Sequence, residues 1–414
     1  SLTTGGNNVA VGDKALTANT TASNNTAVGD QALEANTTGQ QNVAFGSGAL
    51  TSNTTANYNN AIGAFTLRDN TTGKQNTALG HGALLANTTA DNNTAIGFNA
   101  LISNTTGGDN TAVGKGALDA NTTASANTAI GSGAMGATTT GNQNTAVGSG
   151  SLGSNTNGSE NTVVGYNALD ANTSGGSNVA VGKQALTANT TASNNTAVGR
   201  DALASNTTGT NNTAVGSYAL DANTTASNNN AVGIYALTSP TTGQRNTAVG
   251  RVALENNTTG DDNVAVGKDA LEANTTASNN VAVGSLALTS NTTGTRNIAI
   301  GYAAADACTD GANDNVAIGV DALGANTTGD FNVAIGNYAH GSNNGAGYNV
   351  AIGHQALQVN QASDNLAIGY FAGMNITTGN NNVAIGNNSL DAHTTGNYNT
   401  AVGRKSMSAS TTGA

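Results

Sequence analysis

Asn25-Thr26-Ala27-Val28-Gly29-Asp30-Gln31-Ala32-Leu33-Glu34-Ala35-Asn36-Thr37-Thr38-Gly39-Gln40-Gln41 is one full period of a pattern that runs the length of the chain. It returns closely as Asn76-Thr77-Ala78-Leu79-Gly80, with Ala83-Leu84 and Asn87-Thr88-Thr89 at the same offsets. The Gly29 position is glycine at every seventeenth residue from Gly12 to Gly301, and counting on to Gly403 gives 24 units. A fixed period of this size is the signature of a repeat architecture, in which each unit contacts mainly its neighbours. It overrides the two or three globular domains that 414 residues would otherwise suggest.

Within the unit, Thr26 and Val28 share one side of an extended segment and Ala27 takes the other. The Val28 position is always a sizeable apolar residue, as at Val11, Phe45, Ile62, Leu79, Ile130, Ile300 and Ile385, and this reads as a core position. A second apolar element, Ala32-Leu33, recurs as Ala49-Leu50 and Ala117-Leu118. Gly29 and Asn36-Thr37-Thr38-Gly39 are turn signals. The apolar residues lack helical spacing, and Gly, Asn and Thr dominate, so helices are not expected. Seventeen residues give a perimeter of only about 56 Å, which suits one small coil with two short strands. Coils stacked about 4.8 Å apart predict an all-β parallel β-solenoid, a β-roll of about 24 coils on the order of 115 Å long.

Two further positions constrain the coil. The Asn25 position is Asn in all 24 units, and a stacked Asn can bond to its equivalents or to turn backbone. The Ala27 position is Ala in every unit but Val163. A small residue opposite the Val28 side implies close approach of another backbone. That neighbour is either the far wall of the same coil or another subunit, and a thin solenoid that gains core by associating favours the subunit.

Composition narrows function. Only 8% of residues are charged, with a net charge of −11, which argues against nucleic acid and anionic membrane as partners. Aromatics are 3% of the chain, consistent with a narrow core. Cys308 stands alone, and His81, His340, His354 and His393 are scattered, so neither a disulfide framework nor metal or triad spacing is present. The repeats offer none of the unusual residues that chemistry requires, so the expectation is no enzyme and no cofactor. No apolar run approaches a transmembrane length, so no membrane insertion is expected in this segment. The chain opens Ser1-Leu2-Thr3-Thr4-Gly5 and closes Ser410-Thr411-Thr412-Gly413-Ala414, in matching phase, as if copies could abut.

The phrase Asn-x-Ala-(Val/Ile)-Gly followed by a small apolar element, as in Asn93-Thr94-Ala95-Ile96-Gly97 and Asn332-Val333-Ala334-Ile335-Gly336, resembles the head repeats of trimeric autotransporter adhesins and similar phage tail-fibre repeats. The resemblance covers nearly the whole chain. It implies a left-handed β-roll, a homotrimer and a surface-binding role. The 17-residue unit is longer than the usual adhesin head repeat, and no heptad stalk, anchor barrel or tail-fibre chaperone domain is recognisable.

The regular array spans residues 1–301, and the spacing drifts over 302–414. Tyr302, Phe331, Tyr338, Tyr348, Tyr370, Phe371 and Tyr398 concentrate in that second stretch and form the candidate recognition surface. The expected function is an extracellular structural fibre or adhesin shaft, at a cell surface or on a virion. It would self-associate as a homotrimer or an end-to-end filament and meet a cell-surface or glycan ligand. The alternative is an ice-binding solenoid using Thr ladders such as Asn36-Thr37-Thr38, Asn87-Thr88-Thr89 and Asn206-Thr207-Thr208. The same triplets match the N-glycosylation pattern, although a turn role already accounts for them.

Overall fold

The computed structural model describes residues 4–309 and 311–412. Ser1–Thr3, Asp310 and the terminal Gly413-Ala414 lie outside the described residues, and the matching-ends expectation falls partly on them. The chain forms an all-β parallel β-solenoid divided into two compact units, Ser1–Thr210 and Asn211–Ala414. The first holds β1 (Val9–Val11) through β12 (Thr196–Val198), and the second holds β13 (Thr213–Val215) through β24 (Thr400–Val402). Within each unit every strand pairs in parallel and in register with the next, Thr26 on Val43 and Ala27 on Ala44 for example. Gly301 to Gly319 and Gly353 to Gly369 depart from the period, yet Ile298↔Val316 and Val350↔Leu366 remain in register. The extra or missing residue is therefore absorbed outside the strand.

Each coil contributes one strand of three residues. The expected second strand at Ala32-Leu33 is absent. Gln31 (φ 57°) and Leu33 (φ 52°) adopt left-handed backbone, and extended geometry cannot continue through them. The segment is instead a staircase of turns. Ala32, Glu34 and Asn36 donate their N–H groups to carbonyls three residues back, at 3.2–3.3 Å. The alternating N–H groups of Leu33 and Ala35 donate to Ala49 and Thr51 of the next coil, both at 3.0 Å. Every backbone donor from Ala32 to Asn36 is thus placed, three within the coil and two between coils. Left-handed backbone costs a leucine roughly 1–2 kcal/mol. Full burial of Leu33, Leu50, Leu67 and their equivalents stabilises by about 1.5–3 kcal/mol each, so burial wins.

The core corrects the expected facing of the strand. From β2 onward the Ala27 position is buried in every strand, as at Ala27, Ala44 and Ala61, and only Ala10 of the first strand is exposed, whereas the Val28 position is half-buried or exposed, with Phe45 56% and Ile62 43% accessible. Ala27 points into its own coil, and Val28 points outward. The far wall supplies its neighbour: at Gly373, which holds the Leu33 position, a Cβ would lie 3.6 Å from the Ala367 Cβ. Alanine on the strand and leucine opposite fill the interior, so the close approach belongs to the coil itself and requires no second subunit.

Two asparagine ladders complete the interior. The Asn25 Oδ1 accepts the backbone N–H of Asn42 at 2.9 Å, and the Asn42 Nδ2 donates across the coil to the Ala56 carbonyl at 2.9 Å. Asn53 donates to that same carbonyl at 3.2 Å and to the Asn36 Oδ1 of the preceding coil at 2.9 Å. One carbonyl per coil is therefore bridged by both ladders, closing the loop on itself. These side chains are fully buried, and satisfied amides are what permit so polar a core. Burial also leaves Asn36-type side chains inaccessible as glycan acceptors in the folded chain.

Candidate functional site: the outward strand face and its corners

Because Ala27 turns inward, the first and third strand positions form an outward face. Its residues are Thr, Val, Ile, Leu, Phe or Asn, and no strand places a charge there. Gly29 ends the strand on one side, and residues of the Gln41 type, in left-handed backbone at φ 56°, precede it on the other. Both corners project residues beside the face.

The candidate aromatics occupy these corners within the second unit. Phe331 and Tyr348 stack at one corner, with centroids 5.1 Å apart and planes 18° from parallel. Tyr338, Tyr370 and Phe371 gather at the other around His354, whose ring lies 5.5 Å from Tyr370 and 6.1 Å from Tyr338. Tyr302 and Tyr398 are exposed and make no ring contact among the described residues. Tyr348, Val350, Asp364, Leu366, Asn381 and Val383 line an open groove of about 410 Å³ where the face meets the first corner.

The sequence reading missed that such clusters recur elsewhere. In the first unit His81 meets Phe65 edge-on and stacks on Phe98, and Tyr218 and Tyr235 stack at 5.3 Å in the second. The available signal was offset from the repeat glycine: rings one or two residues after it in consecutive coils must meet. Beyond the aromatics, Arg296 hydrogen-bonds Asp314 at 2.6 Å on an exposed corner and holds that carboxyl below its usual range.

Groups with reactive chemistry are buried or dispersed. No cluster of three or more His, Cys, Asp or Glu suited to a metal occurs among the described residues. No helix among them is long and apolar enough to cross a membrane. Cys308 replaces Asn in the ladder of Asn36 and Asn53, and burial pushes its thiol up to about 12. Its sulfur accepts from Asn326 at 3.6 Å, while the buried Oδ1 of Asn291 in the preceding coil is left without a donor. Cys308 is expected to resist thiol reagents until the protein unfolds. Cys308→Asn is expected to raise stability by about 1 kcal/mol by giving Asn291 a partner, as read from denaturant midpoints.

His340 occupies a core leucine position, fully buried, with Nε2 3.2 Å from Asn360 and Nδ1 without a partner. Burial lowers its pKa from 6.5 to about 3. Above pH 6.5 the ring is neutral in both folded and unfolded chains. Between pH 6.5 and 3 only the unfolded chain takes the proton, so stability falls with falling pH by up to about 1.4 kcal/mol per unit. His340→Leu is expected to flatten this part of the profile, measured by urea midpoints at pH 7 and pH 4 against the parent protein.

The chain matches no protein-family model and no curated protein. Its class rests on its own geometry: a parallel β-solenoid of about 23 turns with a repeat of about 17 residues.

Proposed function

We propose that this protein is a non-catalytic structural fibre of the extracellular or cell-surface kind, in which copies associate through the outward strand face of the second unit. The carrying observation is an aliphatic patch from β16 (Val264–Val266) through β23 (Val383–Ile385). Both outward positions of all eight strands are Val, Ile or Leu. Ile298, Ile300 and Ile368 are exposed and the other thirteen side chains are half-buried, so the strip leaves a continuous aliphatic surface in solvent. A contiguous apolar strip of this kind marks a surface where another molecule docks. A second copy fits it best, because an equal, flat, uncharged strip needs a partner with neither charge nor protruding loops.

The likeness to adhesin head repeats supports the same reading and makes three copies the favoured assembly. The aromatic corners beside the patch supply stacking surfaces for a cell-surface or glycan ligand, with the groove at Tyr348 as its seat. The test is sedimentation velocity over a wide concentration range. Association that disappears in Val333→Lys/Val350→Lys, with unchanged circular dichroism, is the expected result. A parent protein that stays monomeric throughout contradicts the proposal.

A further inference from the structure

The first unit carries an outward face of a different chemistry. From β5 (Thr77–Leu79) through β10 (Thr162–Val164), the first strand position is threonine six times in succession: Thr77, Thr94, Thr111, Thr128, Thr145 and Thr162. The third position is Val, Ile or Leu in each strand. The pairing is in register throughout, so threonine stands beside threonine from coil to coil. The result is a two-dimensional array with about 4.8 Å between strands and about 6.6 Å between outward residues along a strand.

The hydroxyls separate this array from the turn threonines. Thr37, Thr71, Thr88 and Thr105 of the turns each donate Oγ1 to a carbonyl of the next coil, at 3.0–3.1 Å. No hydrogen bond within the described residues engages the six strand hydroxyls, and none of the six side chains is buried. The exposed turn row of Thr38 and its equivalents is a single file and lacks the second dimension.

We propose that the β5–β10 face binds ice. Its two spacings approach the in-plane repeats of oxygen atoms in ice, so hydroxyls and methyls can hold a water layer that merges with the crystal. The two asparagine ladders and the in-register pairing fix the array before binding, so little freedom is lost on contact. An aliphatic protein partner fits this face poorly, because it would bury six unpaired hydroxyls at about 1–3 kcal/mol each. An ice lattice offers every hydroxyl a partner. This inference is independent of association through the second unit.

The test is thermal hysteresis and crystal shaping with three full-length proteins: the parent, Thr111→Lys/Thr145→Lys on the strand face, and Thr123→Lys on the exposed turn row. Circular dichroism and thermal melts confirm that each is folded. The parent and Thr123→Lys are expected to facet ice and depress growth, and the double variant to fall to buffer level. Absence of faceting by the parent overturns the proposal, as does loss in Thr123→Lys with retention in the double variant. Dimers that dissociate in the double variant would identify a second copy as the occupant and overturn it equally.

Discussion

Gly114→Ala is expected to cost about 3–5 kcal/mol and to uncouple the coils on either side of it. Gly114 sits at φ +138°, a backbone region that side chains rarely enter. An added Cβ would lie 2.5 Å from the Gly131 carbonyl oxygen and 2.6 Å from its carbon. Both obstacles are backbone of the next coil, held by parallel pairing, so no rotamer change relieves the clash. In a solenoid the damage is local at first, since each coil depends on its neighbours. Denaturant unfolding is expected to split into more than one transition. A single transition with a midpoint near that of the parent protein would show that the glycine beat is compositional and imposes no steric demand.

Asn144→Ala is expected to be comparably severe, by a different route. The Asn144 side chain donates to the Gly158 carbonyl at 3.0 Å, and its Oδ1 accepts the Asn161 backbone N–H at 3.0 Å. Its Nδ2 also reaches the Asn127 Oδ1 at 3.2 Å. Alanine removes the donor and the acceptor together and leaves the Asn161 amide without its buried partner. Each buried group so orphaned costs about 1–3 kcal/mol, so a loss of roughly 3–5 kcal/mol follows, tempered where Asn155 still serves the Gly158 carbonyl at 2.9 Å. Amide exchange offers a sharper readout than the melt: the Asn161 N–H is expected to exchange far faster while Thr94 and its neighbours keep their protection.

Both residues could be picked out from the sequence, and the reason is instructive. Gly12 to Gly301 recur at one spacing because a single steric fact, coil backbone passing over coil backbone, is repeated in every turn. Asn25 recurs because its amide meets the equivalent carbonyl and N–H in coil after coil, with Asn349 and Asn399 turning to a carbonyl two residues back. Leu33 reads correctly as core for the same reason. The facing of the strand does not. Val28 is the larger apolar residue, and its size suggests burial, but apolar side chains are common on protein surfaces. Variation was the better guide. Val28 becomes Phe45, Ile62 or Leu79 because solvent tolerates the change, whereas Ala27 is held by the leucine across the coil.

The second strand was illegible for a local reason. Leu33 at φ 52° is an unusual conformation for leucine, imposed by burial and by the turn staircase rather than by its own preference. The aromatic surface was partly legible. Clustering toward the end of the chain drew attention to Tyr338, Tyr348 and Tyr370, but only offset from the repeat glycine shows which rings share a corner. His354 belongs to that group through spacing alone. The turn threonines attracted the ice-binding alternative by abundance, yet their inner row spends its hydroxyls on carbonyls of the next coil. The strand threonines of β5–β10 keep theirs unengaged, beside a second outward file.

Under the proposed association, the outward strand face is open in one copy and covered when copies meet. Cysteine labelling at β18 (Ile298–Ile300) reads both conditions at once. Ile298 and Ile300 are 38% and 39% exposed, and the buried Cys308 gives a silent background. In dilute solution Ile298→Cys and Ile300→Cys are each expected to react like free thiols, and to become protected together as concentration rises. Slow labelling in the monomer would contradict the outward facing of the strand, and rapid labelling at every concentration would contradict its role as the surface where copies meet.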